Sequence, residues 1–273
     1  MAKIQAVSFL ESNTKDKPNE DCVHVSTDQC FAVVADGATR LRANGRYPDI
    51  NSSLASECVC HTLHEGYNQG IRDLRRLFIA ANQKIAAINR EEGITDEIQL
   101  LSAVAVAGYF SAQLPDLFQY AFIGDCGVLV YDQDLFPVYM TPNELAALEM
   151  FRDRWWEEEK GVKIWRSAWR NKPNERRMTH GGLTGQEEAL SYLRADFVRD
   201  LKPGDTILLY TDGILPFVYE SRFRQYVRMY ARAGSGHREM IYEYLETATL
   251  DLAAMGVKNF DDDRAFVAFS YEE

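Results

Sequence analysis

The sequence predicts an α+β layered sandwich. Apolar, strand-like segments fill the first third of the chain, return in the middle and close it, while helical periodicity is gathered between them. Strands grouped before and after helices fit stacked layers better than a doubly wound parallel sheet, which needs strand and helix to alternate. A further observation ties the layers to chemistry, because several strand-like runs border acidic clusters.

Taken in order, residues 4–10, 22–26 and 30–35 alternate or run apolar as strands do, separated by turn residues such as Lys17-Pro18-Asn19. A helix is predicted over 50–66, with Ile50, Leu54, Cys58 and Leu63 at helical spacing and Asn51-Ser52-Ser53 offering an N-cap. A second covers 71–90, with Ile71, Leu74, Phe78, Ala81, Ile85 and Ile88 on one stripe. Leu100 to Tyr109 fits a buried strand or a helix by periodicity alone. It is read as a strand that ends at Gly108, because a hairpin-like run follows. Phe118–Ile123 and Val128–Tyr131 flank Gly124-Asp125-Cys126-Gly127, and Gly204-Asp205 opens a strong strand over 206–211. A helix over about 237–255 and a strand over 265–271 complete the chain.

Neither an internal repeat nor a linker interrupts this order, so one domain over 1–273 is the simplest description. Residues 143–185 are an irregular insertion that holds Trp155, Trp156, Trp165 and Trp169, followed by Arg170-Asn171-Lys172-Pro173-Asn174. Trp165 and Trp169 would share a helix face. The segment reads either as a helical insertion anchored to the body or as a flap touching a substrate protein.

The chain has 273 residues, 46% hydrophobic and 26% charged, enough for a core without disulfides. Thirty basic against 41 acidic side chains give a net charge of −11. That argues against a general grip on nucleic acid and against attraction to anionic lipid. No run approaches the roughly 20 apolar residues that span a bilayer. Cys22, Cys30, Cys58, Cys60 and Cys126 form no C-x-x-C motif and read as buried thiols of a reducing compartment. The N-terminus alternates like a strand and lacks a signal-peptide core, so a cytoplasmic protein is expected.

The acidic clusters carry the function. Phe31-Ala32-Val33-Val34-Ala35 runs into Asp36-Gly37, and Ile207-Leu208-Leu209-Tyr210-Thr211 runs into Asp212-Gly213. Asn19-Glu20-Asp21 precedes Val23 and Val25, and Asp261-Asp262-Asp263 precedes Phe266-Val267-Ala268-Phe269. In each Asp-Gly pair the glycine lets the chain turn sharply beyond the carboxylate. Carboxylates gathered at ~4 Å would repel by roughly 4 kcal/mol per pair at an intermediate dielectric. Divalent cations relieve that repulsion, so a metal site of oxygen ligands is the first hypothesis.

The order of these motifs, with Ile-Gly-Asp-Cys in mid-chain and Pro-Gly-Asp before Tyr-Thr-Asp-Gly, resembles the metal-dependent serine/threonine phosphatases of the type 2C (PPM) family. The resemblance runs from residue 19 to 270, and the compact chain looks like the bacterial stand-alone members. It implies a four-layer α-β-β-α sandwich of two antiparallel sheets flanked by helices, with two or three Mg²⁺ or Mn²⁺ ions at one end. By resemblance, Asp36 bridges both metals, the Gly37 carbonyl binds one, and Glu20 reaches the second directly or through water. Asp212 and Asp262 complete the first metal, and Asp125 joins Asp212 at a weaker third. The implied reaction is hydrolysis of phosphoserine or phosphothreonine in a phosphoprotein by a metal-bridging water, with Asp36 and Asp212 central to it. A protein nucleophile is not required. Cys126 lacks the C-x₅-R phosphate loop of cysteine phosphatases and reads as a buried thiol.

The sequence departs from that pattern where substrate phosphate would bind. The arginine that many relatives carry four residues before the acidic ligand is Asp16 here. Lys15, Lys17, Arg40 and Arg42 are the candidate replacements, although lysine lacks the bidentate fork. The segment after Asp36-Gly37, Ala38-Thr39-Arg40-Leu41-Arg42, is bulkier than is usual in the family. Asp261 or Asp263 could take the part of Asp262. His180, before Gly181-Gly182, is a candidate proton donor to the leaving oxygen. Two alternatives stay open: a pseudophosphatase that acts by binding a partner, and a hydrolase of small phosphoesters.

Overall fold

The computed structural model describes residues 3–12, 18–38, 52–111, 113–146, 169–172, 179–256 and 262–272. Its strands are β1 (Lys3–Glu11), β2 (Asp21–Val25), β3 (Phe31–Gly37), β4 (Ala103–Ser111), β5 (Leu114–Ile123), β6 (Gly127–Tyr131), β7 (Pro137–Met140), β8 (Arg194–Val198), β9 (Thr206–Tyr210) and β10 (Arg264–Glu272). Among the described residues the α-helices are α1 (Ser53–Asn68), α2 (Leu74–Glu91), α3 (Ser221–Ala233) and α4 (Arg238–Ala254).

Two five-stranded sheets form, ordered β1-β10-β9-β6-β7 and β2-β3-β4-β5-β8. Every strand pair is antiparallel. Period-2 alternation then sorts each strand between two cores. Val34, Val106, Phe122, Val128, Leu209 and Val267 pack between the sheets. Val33, Ala35 and Ala105 turn the other way, against Val59, Leu63, Phe78 and Ile85 of α1 and α2. On the opposite side Leu208, Tyr210 and Phe266 meet Phe223, Val227 and Leu245 of α3 and α4. The result is the expected four-layer sandwich.

Several details differ from the sequence reading. The buried face of α1 is Ala55, Val59, Thr62, Leu63, Gly66 and Tyr67, not the stripe through Leu54 and Cys58. Leu54 is exposed, because the sheet meets the helix one residue round from the predicted face. Gly108 does not end β4. It lies inside the strand, where a β-carbon would meet the backbone carbonyl of Gln119 at 2.9 Å and the Phe118 ring. α3 escaped the reading because arginines interleave its apolar residues, yet Phe223, Val227, Tyr230 and Ala231 recur at helical spacing. The edge strands β7 and β8 are short and largely solvent-facing, so neither shows an apolar run.

The chain changes sheets between β5 and β6 through Gly124-Asp125, and Gly124 takes φ +85 to make that turn. Arg264, fully buried at the start of β10, pairs with Glu11 of β1 at 3.3 Å and donates to Thr249 Oγ1 of α4 at 2.5 Å. That arginine fixes the strand into which the last acidic cluster leads.

Candidate active site

The acidic motifs meet at one end of the sandwich. In β3 the alternation that sends Ala32 and Val34 between the sheets continues to Asp36, the last such position before the strand ends. Antiparallel register sets Asp21 of β2 directly opposite Asp36, and Val104 of β4 on its other side. From the second sheet, β9 runs out at Tyr210 into Thr211-Asp212-Gly213, beside the start of β10 and the preceding Asp262-Asp263. Asp125 arrives from the turn that joins the two sheets.

Hydrogen bonds stitch the sheets together at this end. Thr211 Oγ1 donates to Asp21 Oδ2 at 2.9 Å. The Glu20 amide donates to Asp263 Oδ2 at 2.9 Å, and the Glu20 carbonyl accepts from Gly37 N at 2.9 Å and from Ser56 Oγ at 2.6 Å. Asp263 therefore anchors the backbone of the first acidic motif.

Both Asp-Gly pairs need glycine for close approach and not for a turn. A β-carbon on Gly37 would collide with the Ser52 carbonyl at the start of α1, and one on Gly213 with the Asp263 carbonyl. Neither glycine has a positive φ. The turning role expected of these glycines is thus replaced by a packing role. Ser52 also departs from expectation: its hydroxyl donates to the Ala38 carbonyl and does not cap α1.

Burial drives the electrostatics. Asp36 is held well above the ordinary carboxylate range by desolvation first, then by the charges of Asp21, Asp212, Asp262 and Asp125. Asp21 is likewise raised by burial, opposed by its bond from Thr211 and reinforced by Asp212, Asp263 and Asp262. Among the described residues the charged groups acting on either are carboxylates. Among the described residues no group of three or more His, Cys, Asp or Glu side chains stands in a closed metal-holding arrangement. The donor chemistry nonetheless fits a hard divalent cation: oxygen only, buried, and strained by its own negative charge.

Asp36, Gly37, Glu20, Asp125, Asp212 and Asp262 all fall at this end. Lys15, Asp16, Lys17, Arg40, Arg42, Asp261, Trp155, Trp156 and Trp165 lie outside the described residues. His180 is buried, and its backbone forms a parallel bridge to Arg170. Cys126 is buried and its thiol pushed well up by desolvation, which leaves it unsuited to attack. The sequence reading passed over two residues. Asp21 shares the inter-sheet face of Val23 and Val25, so alternation alone could have found it. Arg170, buried near the start of β4, carried no such signal.

Comparison with known proteins now decides the family. The model of the protein phosphatase 2C family matches residues 11–246. The chain belongs to that family. A comparison with curated protein sequences finds no match. Solved structures of similar fold include the catalytic domain of the serine/threonine protein phosphatase PstP in complex with two manganese ions, at TM-score 0.63, 16% identity and complete coverage of both chains. The serine/threonine phosphatase Stp1 from Staphylococcus aureus aligns at TM-score 0.60 and 14% identity, over 99% of this chain and 96% of that one. RsbX in complex with magnesium aligns at 0.52 and 11%, over 98% and 96%. At these identities the family's two-sheet sandwich is what is shared.

Proposed function

We propose that this chain is a Mg²⁺- or Mn²⁺-dependent phosphatase that hydrolyses phosphoserine or phosphothreonine in a protein substrate. The carrying observation is the set of buried carboxylates from both sheets, with Asp36 and Asp21 each raised by burial first and then by the neighbouring charges of Asp212 and Asp262. Family membership supports the phosphatase activity, and the metal-bearing PstP and RsbX structures support divalent cations of this kind. Glu20, Asp36, the Gly37 carbonyl, Asp212 and Asp262 would hold two ions, with Asp125 reaching a third. Bound there, such ions supply Lewis acidity to water and positive charge to the phosphoryl oxygens.

The chain's own residues do the positioning. Thr211 orients Asp21 across the sheets, Asp263 fixes the Glu20 backbone, and the glycines let neighbouring chain close in. No helix among the described residues is long and apolar enough to cross a membrane. Five free cysteines fit the reducing cytoplasm as its setting.

The deciding experiment is hydrolysis of para-nitrophenyl phosphate in Mn²⁺, Mg²⁺ and EDTA, beside Asp36→Asn. Metal-dependent turnover that vanishes in the variant is expected. Turnover insensitive to EDTA would overturn the metal mechanism. Absence of turnover with Mn²⁺ still bound would favour the partner-binding reading motivated by Asp16.

A further inference from the structure

We propose that Arg170 grips the phosphoryl oxygens of the substrate, taking the part that the segment before Glu20 leaves vacant by carrying Asp16. The inference rests on the phosphatase reading above, and its test separates the two.

Among the described residues Arg170 is a buried cation that no anion pairs. It is 7% exposed, its Nη1 donates to Ser102 Oγ, and its Nη2 finds no hydrogen-bond partner among the described residues. Among the described residues no ion pair reaches it. Burial draws its pKa down to about 10, and it stays charged at neutral pH. Buried charges are ordinarily paired, because an unpaired one forfeits its hydration with nothing in return. A ligand that brings its own negative oxygens would complete this one.

Its seat lies on the face that carries the acids. Asp36 is in register with Val104, and Gly37 with Ala103. The ladder continues one step further, since Ala38 N donates to the Ser102 carbonyl at 3.0 Å. Alternation puts Ser102 on the same face as Val104 and hence as Asp36. Two residues along a strand amount to roughly 7 Å. Arg170 is thus hydrogen-bonded, through Ser102, to the face that carries Asp36, two residues along and one strand over from it.

The side chain is also held in advance. Asn171 adopts φ 55, and its Nδ2 donates to the Gly182 carbonyl at 2.9 Å while its Oδ1 accepts from Gly182 N at 3.1 Å. Its amide donates to the His180 carbonyl at 2.9 Å. A β-carbon on Gly182 would lie 2.9 Å from Arg170 Cδ, so glycine makes room for the arginine stem. A planar guanidinium fixed in this way offers two parallel N–H donors to a phosphoryl group, a geometry that lysine cannot reproduce.

The test is calorimetric titration of inorganic phosphate into Mn²⁺-loaded wild type, R170A and R170K, with Mn²⁺ affinity and thermal midpoint recorded for each. R170A is expected to weaken phosphate binding by about tenfold or more, and R170K by about threefold or more, with Mn²⁺ affinity unchanged. Phosphate affinity equal to wild type in folded R170A would overturn the proposal, as would a wild type that binds no phosphate. If R170A fails to fold, R170K decides by the same comparison. Wild-type turnover of para-nitrophenyl phosphate is followed in parallel. Turnover with equal phosphate affinities removes Arg170 and keeps the phosphatase. Weakened phosphate binding in the variants with no wild-type turnover does the reverse.

Discussion

Asp21 and Asp36 stand directly opposite one another across the β2–β3 ladder, two buried carboxylates in one register pair. Like charges so placed destabilise a sheet. Both are raised above the ordinary range, so between that range and their raised values the folded protein binds more protons than the unfolded one. The stability linked to this protonation is present at low pH and is lost as pH rises through that window. In EDTA, Asp36→Asn should therefore melt above wild type at about pH 8, with the difference shrinking toward about pH 4. Scanning calorimetry across pH checks this, and saturating Mn²⁺ should reverse the order, since only wild type keeps the full ligand set.

Asp262 and Asp263 should separate by phenotype. Asp263 Oδ2 satisfies the buried Glu20 amide, so Asp263→Ala is expected to cost about 1–3 kcal/mol of stability. Asp262→Ala should instead lose Mn²⁺ affinity with little change in the metal-free melt. Urea unfolding and metal titration on the two variants would show it, and identical profiles would argue against the division.

Gly213→Ala tests the packing account of the Asp-Gly pairs. The added methyl meets the Asp263 carbonyl, and overpacking of this kind costs about 1–3 kcal/mol. Because the collision lies between Asp212 and the Asp262-Asp263 segment, Mn²⁺ affinity should fall as well. A variant with wild-type stability and affinity would show that the backbone there yields freely.

Arg264→Ala should be among the most destabilising single changes. Its side chain is fully buried, bonded to Thr249 and paired with Glu11, which burial raises and Arg264 lowers. Removing one partner of a buried pair costs about 3–5 kcal/mol. Chemical denaturation measures this directly.

Much of this was legible in the sequence because it is local. Alternation and helical spacing gave most strands and helices, and the runs ending in Asp36 and Asp212 marked strand ends. Within one element, period and polarity fix which face a residue takes, so even Asp21 could have been read from Val23 and Val25. Tertiary structure decided which acids meet. Thr211 reaches Asp21 across 190 residues, and Asp263 reaches the Glu20 amide across 243. Strand order alone sets such neighbours, and no local period encodes it. The same holds for Gly37 and Gly213, whose need for glycine comes from a carbonyl of another segment. Arg170 is the sharpest case: in sequence it is one basic residue after a tryptophan, and only folding buries it against Ser102, with no counter-charge among the described residues. The sequence determined the elements and the chemical kind of the site. Non-local pairing of strands decided its membership, because desolvation and charge act on whatever the sheets bring together.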